Sequence, residues 1–173
     1  MRIVPRTLGR ALAVQSLYGA AFSGLEPLEV LKRVARMGGL TLLQYQFDDE
    51  QIPTELLRIP VHPSTRRSAE RYAQQLLNGV STYAAMIDPL IERHLIGWSR
   101  ERVGRLEWAI LQTAICEMIF LKTVDPPVAI DQAVILANWL GQEESARFVN
   151  GVLDAIARST ASAESGAADH GRL

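Results

Sequence analysis

The sequence predicts an all-α protein, and three observations lead to that fold class. Apolar residues recur at steps of three and four through most of the 173-residue chain, a period that fits a helix with one buried face and does not fit a strand. Prolines and glycines separate these periodic segments from one another. Hydrophobic residues make up 48% of the chain, so a single domain can bury its own core.

Two helices are predicted before residue 38. The first spans about residues 6–22, and its inward-facing residues are Ala11, Val14, Tyr18, Ala21 and Phe22. The second follows Gly24 and spans about residues 27–37. Residues 38–63 contain a glycine pair, three prolines and an acidic run, and we predict a long connection or insertion there.

The next helix begins after Ser64 or Thr65 and carries an apolar stripe that runs to Ile87. We expect Pro89 to end or kink it, because proline lacks the backbone N–H of a helix interior. Residues 105–122 are apolar on nearly all sides, which is typical of a helix surrounded by others.

Two more helices follow the Pro126-Pro127 break. The first is predicted to start at Asp131 as its N-cap, to stop at Gly141, and to bury Ala133, Val134, Ala137 and Leu140. The last spans about residues 143–158 and buries Phe148, Val149, Val152, Leu153 and Ile156. Residues 159–173 are small and polar, so we predict a domain of residues 1–158 and a disordered tail.

Composition excludes several classes of function. The single cysteine, Cys116, allows no internal disulfide, and no Cys/His cluster has metal-ligand spacing, so we expect neither a metal nor a cofactor. Cys116 is interpreted as a small core residue. The most apolar stretch, residues 106–121, is too short and too charged to span a bilayer. With no secretion signal evident, we expect a cytoplasmic protein that has no membrane contact.

The charge is uneven along the chain, although the formal net charge is only -1. Residues 1–24 carry Arg2, Arg6 and Arg10 and no acid, whereas residues 125–158 carry five acids and two arginines. Arg6 and Arg10 are four residues apart and share a helix face near its N-terminus, a pattern that suits phosphate binding. Three solvated arginines with no ligand are the alternative.

Residues 148–154, Phe-Val-Asn-Gly-Val-Leu-Asp, place Gly151 inside a strongly periodic helix, where glycine costs about 1 kcal/mol relative to alanine. We therefore predict a close helix crossing or a functional surface at Gly151. This heptapeptide resembles the closing motif of the NusB family. Four further blocks resemble that family in the same order, and they are residues 13–18 (AVQSLY), 76–80 (LLNGV), 106–111 with Glu117 (LEWAIL), and 127–133 (PVAIDQA).

The resemblance covers residues 1–22 and about 66–158, and it implies a fold of two packed helical bundles. It also implies a protein that is not an enzyme. Such a protein binds the boxA element of ribosomal-RNA transcripts as a heterodimer with the ribosomal protein NusE. The pair joins RNA polymerase with other Nus factors, suppresses premature termination and aids ribosomal-RNA maturation.

Family position assigns RNA binding to Arg2, Arg6, Arg10, Gln15, Tyr18, Glu107, Phe148 and Asn150, and partner binding to Glu144 and Asp154. The two rings could stack on bases, and Glu107 and Asn150 could bind base edges. From spacing alone, core positions for the rings are at least as consistent. Glu107 and Asn150 could equally cap or bridge neighbouring helices.

Departures from the family pattern leave alternatives open. The arginine arm is sparse, and Trp108 and Gln132 stand where charged residues are usual, so we expect weak RNA binding that NusE strengthens. One alternative is a helical adaptor that does not bind RNA. Another is the NusB-like domain of a ribosomal-RNA cytosine methyltransferase, which we expect only if the chain is a fragment. A homodimer is possible, with Trp98, Trp108 and Trp139 at an interface or in the core.

Overall fold

A computed structural model of the protein describes residues 5–36 and 62–169, and the side chains of residues 5–35 and 62–163. The α-helices within these ranges are α1 (Pro5–Ser23), α2 (Pro27–Arg36), α3 (Pro63–Arg93), α4 (Arg105–Ile115), α5 (Pro126–Leu140) and α6 (Ser145–Asp169). A 3₁₀ turn, Arg100–Arg102, precedes α4, and a π-helical turn, Cys116–Phe120, continues it. The described residues contain no strand, and the all-α prediction is confirmed. Nearly all of the predicted connection, residues 38–63, lies outside the described residues.

The buried side chains form two clusters, as expected for two packed bundles. The smaller cluster joins α1, α2 and the first half of α3. The larger one joins α1 and the second half of α3 to α4, the π turn, α5 and α6. Because α1 and α3 contribute to both clusters, these two helices hold the bundles together.

Two glycines allow close helix contacts. A Cβ atom on Gly9 of α1 would lie 2.8 Å from the Ala69 carbonyl oxygen of α3. A Cβ atom on Gly79 of α3 would lie 2.5 Å from Sγ of Cys116 in the π turn. By contrast, Gly151 is exposed and a Cβ atom there would meet no described atom within 4 Å. The predicted helix crossing at Gly151 is therefore wrong, and this glycine lies on an open surface.

Pro89 does not end the helix that contains it, so that part of the prediction is wrong, and the predicted kink stays a prediction. Helix α3 continues through it to Arg93, whose Nε donates a hydrogen bond to the Pro89 carbonyl oxygen at 3.2 Å. Pro89 and Ala85 are both exposed, so water can reach the Ala85 carbonyl that lacks its usual N–H donor. The cost of an interior proline is reduced at such a position.

The start of α5 also differs from the prediction. Helix α5 begins at Pro126, one residue after Asp125 in the N-cap position, and Asp131 is an exposed residue one turn further along. Proline is well suited to the first position of a helix, because its missing N–H would be unpaired there in any case. The two prolines therefore start this helix rather than separate it from the preceding segment.

Helix α6 continues past Arg158 to Asp169, and the prediction of a disordered tail from Ser159 is wrong over these residues. Hydroxyl groups of Thr160 and Ser162 donate hydrogen bonds to carbonyl oxygens one turn earlier, at 2.9 and 3.0 Å. Several alanines, which favour helices intrinsically, lie in the same stretch. Residues 170–173 lie outside the described part of the chain.

The end of α1 is more open than predicted. Ala11 and Val14 are buried, but Tyr18 is half-buried, Ala21 is exposed and Phe22 is 62% exposed. On α5, Val134 is half-buried. None of the helices in the described ranges is both long and apolar enough to cross a membrane.

Candidate RNA-binding surface

Arg10 lies in a buried ion pair and not on the surface. Its Nε and Nη2 atoms donate hydrogen bonds to the two Glu117 carboxylate oxygens at 2.8 and 2.7 Å, and both side chains are almost fully buried. The prediction of Arg10 as a phosphate contact is wrong for this reason. Helical spacing predicts the same exposure for Arg6 and Arg10, although only Arg10 faces a carboxylate on another helix.

Further polar groups close this network. Tyr72 of α3 donates its hydroxyl hydrogen to Glu117, and burial together with this carboxylate raises the pKa of Tyr72 above its ordinary value. Gln132 of α5 accepts hydrogen bonds from Arg10 at 3.3 Å and from Thr7 at 2.7 Å. The network thus joins α1, α3, the π turn and α5.

Arg6 remains available at the start of α1. It is exposed, its guanidinium carbon lies 5.3 Å from the centre of the Tyr72 ring, and its Nη1 donates to the Thr123 carbonyl at 3.4 Å. Arg2 lies outside the described residues. Of the predicted arginine arm, Arg6 is the exposed member in the described part of the chain.

Gln15 is buried in α1, with 5% of its surface exposed. Neither Nε2 nor Oε1 of its side chain has a hydrogen-bond partner among the described residues. A buried amide without partners costs free energy, and in this conformation RNA cannot reach it.

Three of the predicted site residues, Tyr18, Glu107 and Phe148, surround the start of α4. The Tyr18 ring packs edge-on against Phe22, with 4.9 Å between the ring centroids. Arg105, the first residue of α4, places its guanidinium carbon 4.3 Å from the centre of the Phe22 ring and donates to the Ala21 carbonyl at 2.6 Å. These contacts of Arg105 connect the C-terminal end of α1 to the N-terminal end of α4.

Glu107 links α4 to α6. Its carboxylate accepts a hydrogen bond from the Ser145 hydroxyl, and that hydroxyl oxygen accepts one from the Gln142 backbone N–H at 3.0 Å. A Cβ atom at Gly104 would lie 2.0 Å from Oε2 of Glu107, so glycine provides the room for this carboxylate to fold back. Of the two roles considered for Glu107, the structure shows the bridge between helices.

Phe148 completes the group from the first turn of α6. It is half-buried and packs against Trp98, with 5.4 Å between the ring centroids. Trp98 is 44% exposed, and the guanidinium carbon of Arg102 lies 5.3 Å from the centre of its ring. The three tryptophans therefore differ in environment, since Trp108 is buried and Trp139 is half-buried.

Three arginines between these positions, Arg100, Arg102 and Arg105, were not among the predicted site residues. We define the aromatic–arginine surface as Phe22, Trp98, Arg100, Arg102, Arg105 and Phe148. Residues 98–108 hold three arginines and two tryptophans, and this density of cationic and aromatic residues could have been noticed from the sequence. The period of the apolar residues indicates the neighbouring helices and gives no signal for this turn.

Asn150 and Asp154 of α6, and Glu144 just before that helix, do not join this group. Asn150 is exposed, and its Nδ2 lies 3.5 Å from an Asp154 carboxylate oxygen one turn further along. Glu144 precedes α6 and is exposed. The outward side of α6 therefore carries both signs of charge, because Arg147 and Arg158 are exposed on the same helix as the half-buried Asp154.

Cys116 lies in the interior, in an environment that disfavours its thiolate. Cys116 is fully buried, and burial, with a smaller contribution from Glu117, raises the pKa of its thiol to about 12. It is therefore protonated at neutral pH and is a poor nucleophile. In the described ranges, no group of three His, Cys, Asp or Glu side chains is placed to hold a metal ion.

Comparison with known proteins agrees with this fold. A family model described as the NusB family matches residues 9–158. The chain is 32% identical to the transcription antitermination protein NusB of Desulfovibrio desulfuricans over 155 residues, covering 90% of this chain and 85% of that one. The corresponding protein of Bacillus licheniformis is 36% identical over 126 residues, covering 72% and 95%.

A solved structure matches as well. The crystal structure of the antitermination factors NusB and NusE in complex with double-stranded RNA superposes with a TM-score of 0.66 and 28% identity, covering 90% of this chain and 97% of that one. The family model, the relatives and this structure agree over most of the chain. This chain therefore belongs to the NusB family.

Proposed function

We propose that this protein is a cytoplasmic transcription antitermination factor that binds boxA RNA of ribosomal-RNA transcripts together with NusE. It joins RNA polymerase with other Nus factors, and it supports processive elongation and ribosomal-RNA maturation. The relatives are named as transcription antitermination proteins, and one structural neighbour is a NusB–NusE complex with RNA. These are non-enzymatic factors, so the prediction that the chain is not an enzyme is confirmed.

One observation carries the proposal for RNA. Tyr18 and Phe148, the two rings assigned by family position, each pack against an exposed ring, Phe22 and Trp98 respectively. Each of these exposed rings contacts an arginine that has no carboxylate partner in the described ranges. Single-stranded RNA is bound by stacking of its bases on aromatic rings and by cations that contact its phosphates. Both kinds of group are present here.

The outward side of α6, which carries both acidic and basic side chains, supports the proposal for a protein partner. Asp154 lies there beside the exposed Asn150, Glu144 precedes the helix, and Arg147 and Arg158 are exposed on it. A surface that carries both signs of charge suits a protein partner, because complementary charged groups on that partner fix its position. We therefore assign NusE to this side of α6 and RNA to the start of α4.

A titration with labelled RNA tests the proposal. BoxA RNA and an RNA of the same composition in scrambled order are each titrated with the protein, with and without NusE. We expect weak binding by the isolated chain, tighter binding with NusE, and a preference for boxA that Phe148→Leu reduces. Phe120→Leu is the matched control. Phe120 is also a half-buried ring, but it lies in the π turn and stacks on Tyr83 of α3.

A helical adaptor that binds NusE without RNA is the second candidate function. The burial of Arg10 favours it, because the predicted arm loses one of its phosphate contacts. Tight NusE binding combined with equal, weak affinity for boxA and scrambled RNA would support the adaptor and contradict the RNA proposal.

A further inference from the structure

We propose that Arg100 and Arg102, on the turn before α4, form a second contact region for single-stranded RNA, which continues the surface that begins at Phe148. This inference rests on the proposed function, because it concerns the same RNA. It adds residues that neither the motif resemblance nor the N-terminal arm identifies. The ligand class is a flexible polyanion with exposed bases.

The first argument is charge. Residues 98–105 carry three arginines and one glutamate, a local charge of +2 in a chain whose formal net charge is -1. Among the side chains of residues 5–35 and 62–163, none of these arginines forms an ion pair with a carboxylate. Arg10 shows the opposite case, since its charge is neutralised by Glu117. The three arginines of residues 98–105 therefore keep an uncompensated charge, unlike Arg10 in the buried network.

The one acid of the turn is occupied locally. Hydrogen bonds from its own backbone N–H and from the Ser99 hydroxyl hold the pKa of the Glu101 carboxyl below its ordinary value, with a smaller contribution from Arg100. Glu101 thus stays ionised and is held to the backbone of its own turn. It reduces the local positive charge without pairing directly with Arg102 or Arg105 in the described structure.

The second argument is the position of the guanidinium groups on aromatic rings. The guanidinium carbon of Arg100 lies 3.5 Å from the centre of the Trp108 ring, which is van der Waals contact. Trp108 is only 6% exposed while Arg100 is exposed, so the arginine covers the indole and presents its other face to solvent. A planar cation held in this way can stack on a base or donate to a phosphate with little further ordering.

The third argument is continuity with the family-derived site. Arg102 lies over one part of Trp98, and Phe148 packs against the same indole. Trp98 is 44% exposed, so an RNA strand that stacks on Phe148 passes directly to Trp98 and then to the arginines. Arg6 lies apart from Arg105, because the Phe22 ring that Arg105 contacts comes sixteen positions after Arg6 on α1, about 24 Å along the helix axis.

Binding of a labelled boxA RNA and of a labelled U-rich strand, in a salt series with NusE present, tests the inference. The test variant is Arg100→Ala/Arg102→Ala, and Arg100→Lys/Arg102→Lys keeps the charge without the planar group. The control is Arg67→Ala/Arg71→Ala, which removes two exposed arginines that line the cleft between α2 and α3. Circular dichroism verifies that each variant is folded.

We expect the double alanine variant to lose roughly tenfold or more in affinity for both RNAs, and its log-affinity slope against log-salt to flatten by about 1.4, which is 0.7 for each lost contact. The lysine variant should keep the slope and lose part of the affinity, because stacking is lost. The control should change affinity less than twofold.

Unchanged affinity and slope in the double alanine variant, while the parent binds tightly, would overturn the inference and leave the proposed function intact. A loss of NusE binding without RNA, measured by calorimetry, would assign the turn to the protein partner and would also overturn it. If the parent shows no preference for boxA but the double variant weakens both RNAs, the proposed function fails and the RNA contact stands.

Discussion

Arg10 of α1 and Glu117 of the π turn form a bidentate ion pair, with N–O distances of 2.8 and 2.7 Å, in the interior of the protein. A π turn is a rare element that often marks a site with a specific role. Here it carries Glu117 into contact with Arg10 and Tyr72, two residues from different helices. The pair therefore fixes how the two bundles meet, and it removes Arg10 from the RNA-binding residues.

Arg10→Ala should lower the free energy of unfolding by about 3–5 kcal/mol, because it leaves the buried Glu117 carboxylate without its counter-charge. The double variant Arg10→Met/Glu117→Met should lose less than this single variant. Arg6→Ala is the control and should change stability by less than about 0.5 kcal/mol, because Arg6 is exposed. Urea denaturation measures all of these, and a loss below 1 kcal/mol for Arg10→Ala would show that Arg10 is not held in the pair.

The fold could be predicted from the sequence wherever a helix has one buried face. The stripe from Ala69 to Ile87 and the apolar segment after Arg105 both lie in helices of the structure. Two of the wrong predictions concern prolines, whose effect on a helix depends on solvent exposure and on their position within the helix. Pro89 is tolerated because its side of α3 is exposed, and Pro126 is the first residue of a helix rather than its interruption.

Two glycine substitutions should have opposite effects on stability. Gly79→Ala should destabilise the protein by about 1–3 kcal/mol, because the new methyl group would overlap Cys116 Sγ. Gly151→Ala should stabilise it by up to about 1 kcal/mol, because the position is open and alanine favours the helix. The melting temperatures of the two variants test these predictions. A lower melting temperature for Gly151→Ala would support the helix crossing that the sequence predicted.

Gln15→Met should raise the free energy of unfolding by about 1–3 kcal/mol, because it removes a buried amide without partners and keeps an unbranched side chain of similar length. The effect is measured by chemical denaturation of the isolated protein. RNA affinity in the presence of NusE provides the second measurement. A less stable variant would show that the amide has a partner in the folded protein, and a weaker RNA complex would return Gln15 to the binding residues.

Cys116 should not react with a thiol reagent such as 5,5′-dithiobis(2-nitrobenzoic acid) at pH 8 while the protein is folded. Its pKa, raised to about 12 by burial, keeps the thiol protonated at that pH, and the thiolate is the reactive form. Reactivity should appear together with unfolding in urea. Fast labelling of the native protein would contradict the burial of this residue against Gly79.

The candidate site could be predicted only in part. Tyr18, Glu107 and Phe148 are distant in sequence, and family position alone placed them in one site. The exposure of an arginine cannot be read from helical spacing, so Arg6 and Arg10 looked alike although one is buried. Arg100 and Arg102 lie on a short turn without a strong period, and their role depends on the rings of Trp108 and Trp98 that only the fold places beneath them.

The central claim is that the protein acts in antitermination through boxA, and single-round transcription measures this most directly. RNA polymerase with the other Nus factors and NusE transcribes a template that carries boxA before a terminator, and the full-length transcript is quantified. We predict that adding this protein raises readthrough on the boxA template and has little effect when boxA is scrambled. Readthrough that stays unchanged on both templates, or rises equally on both, would contradict the account.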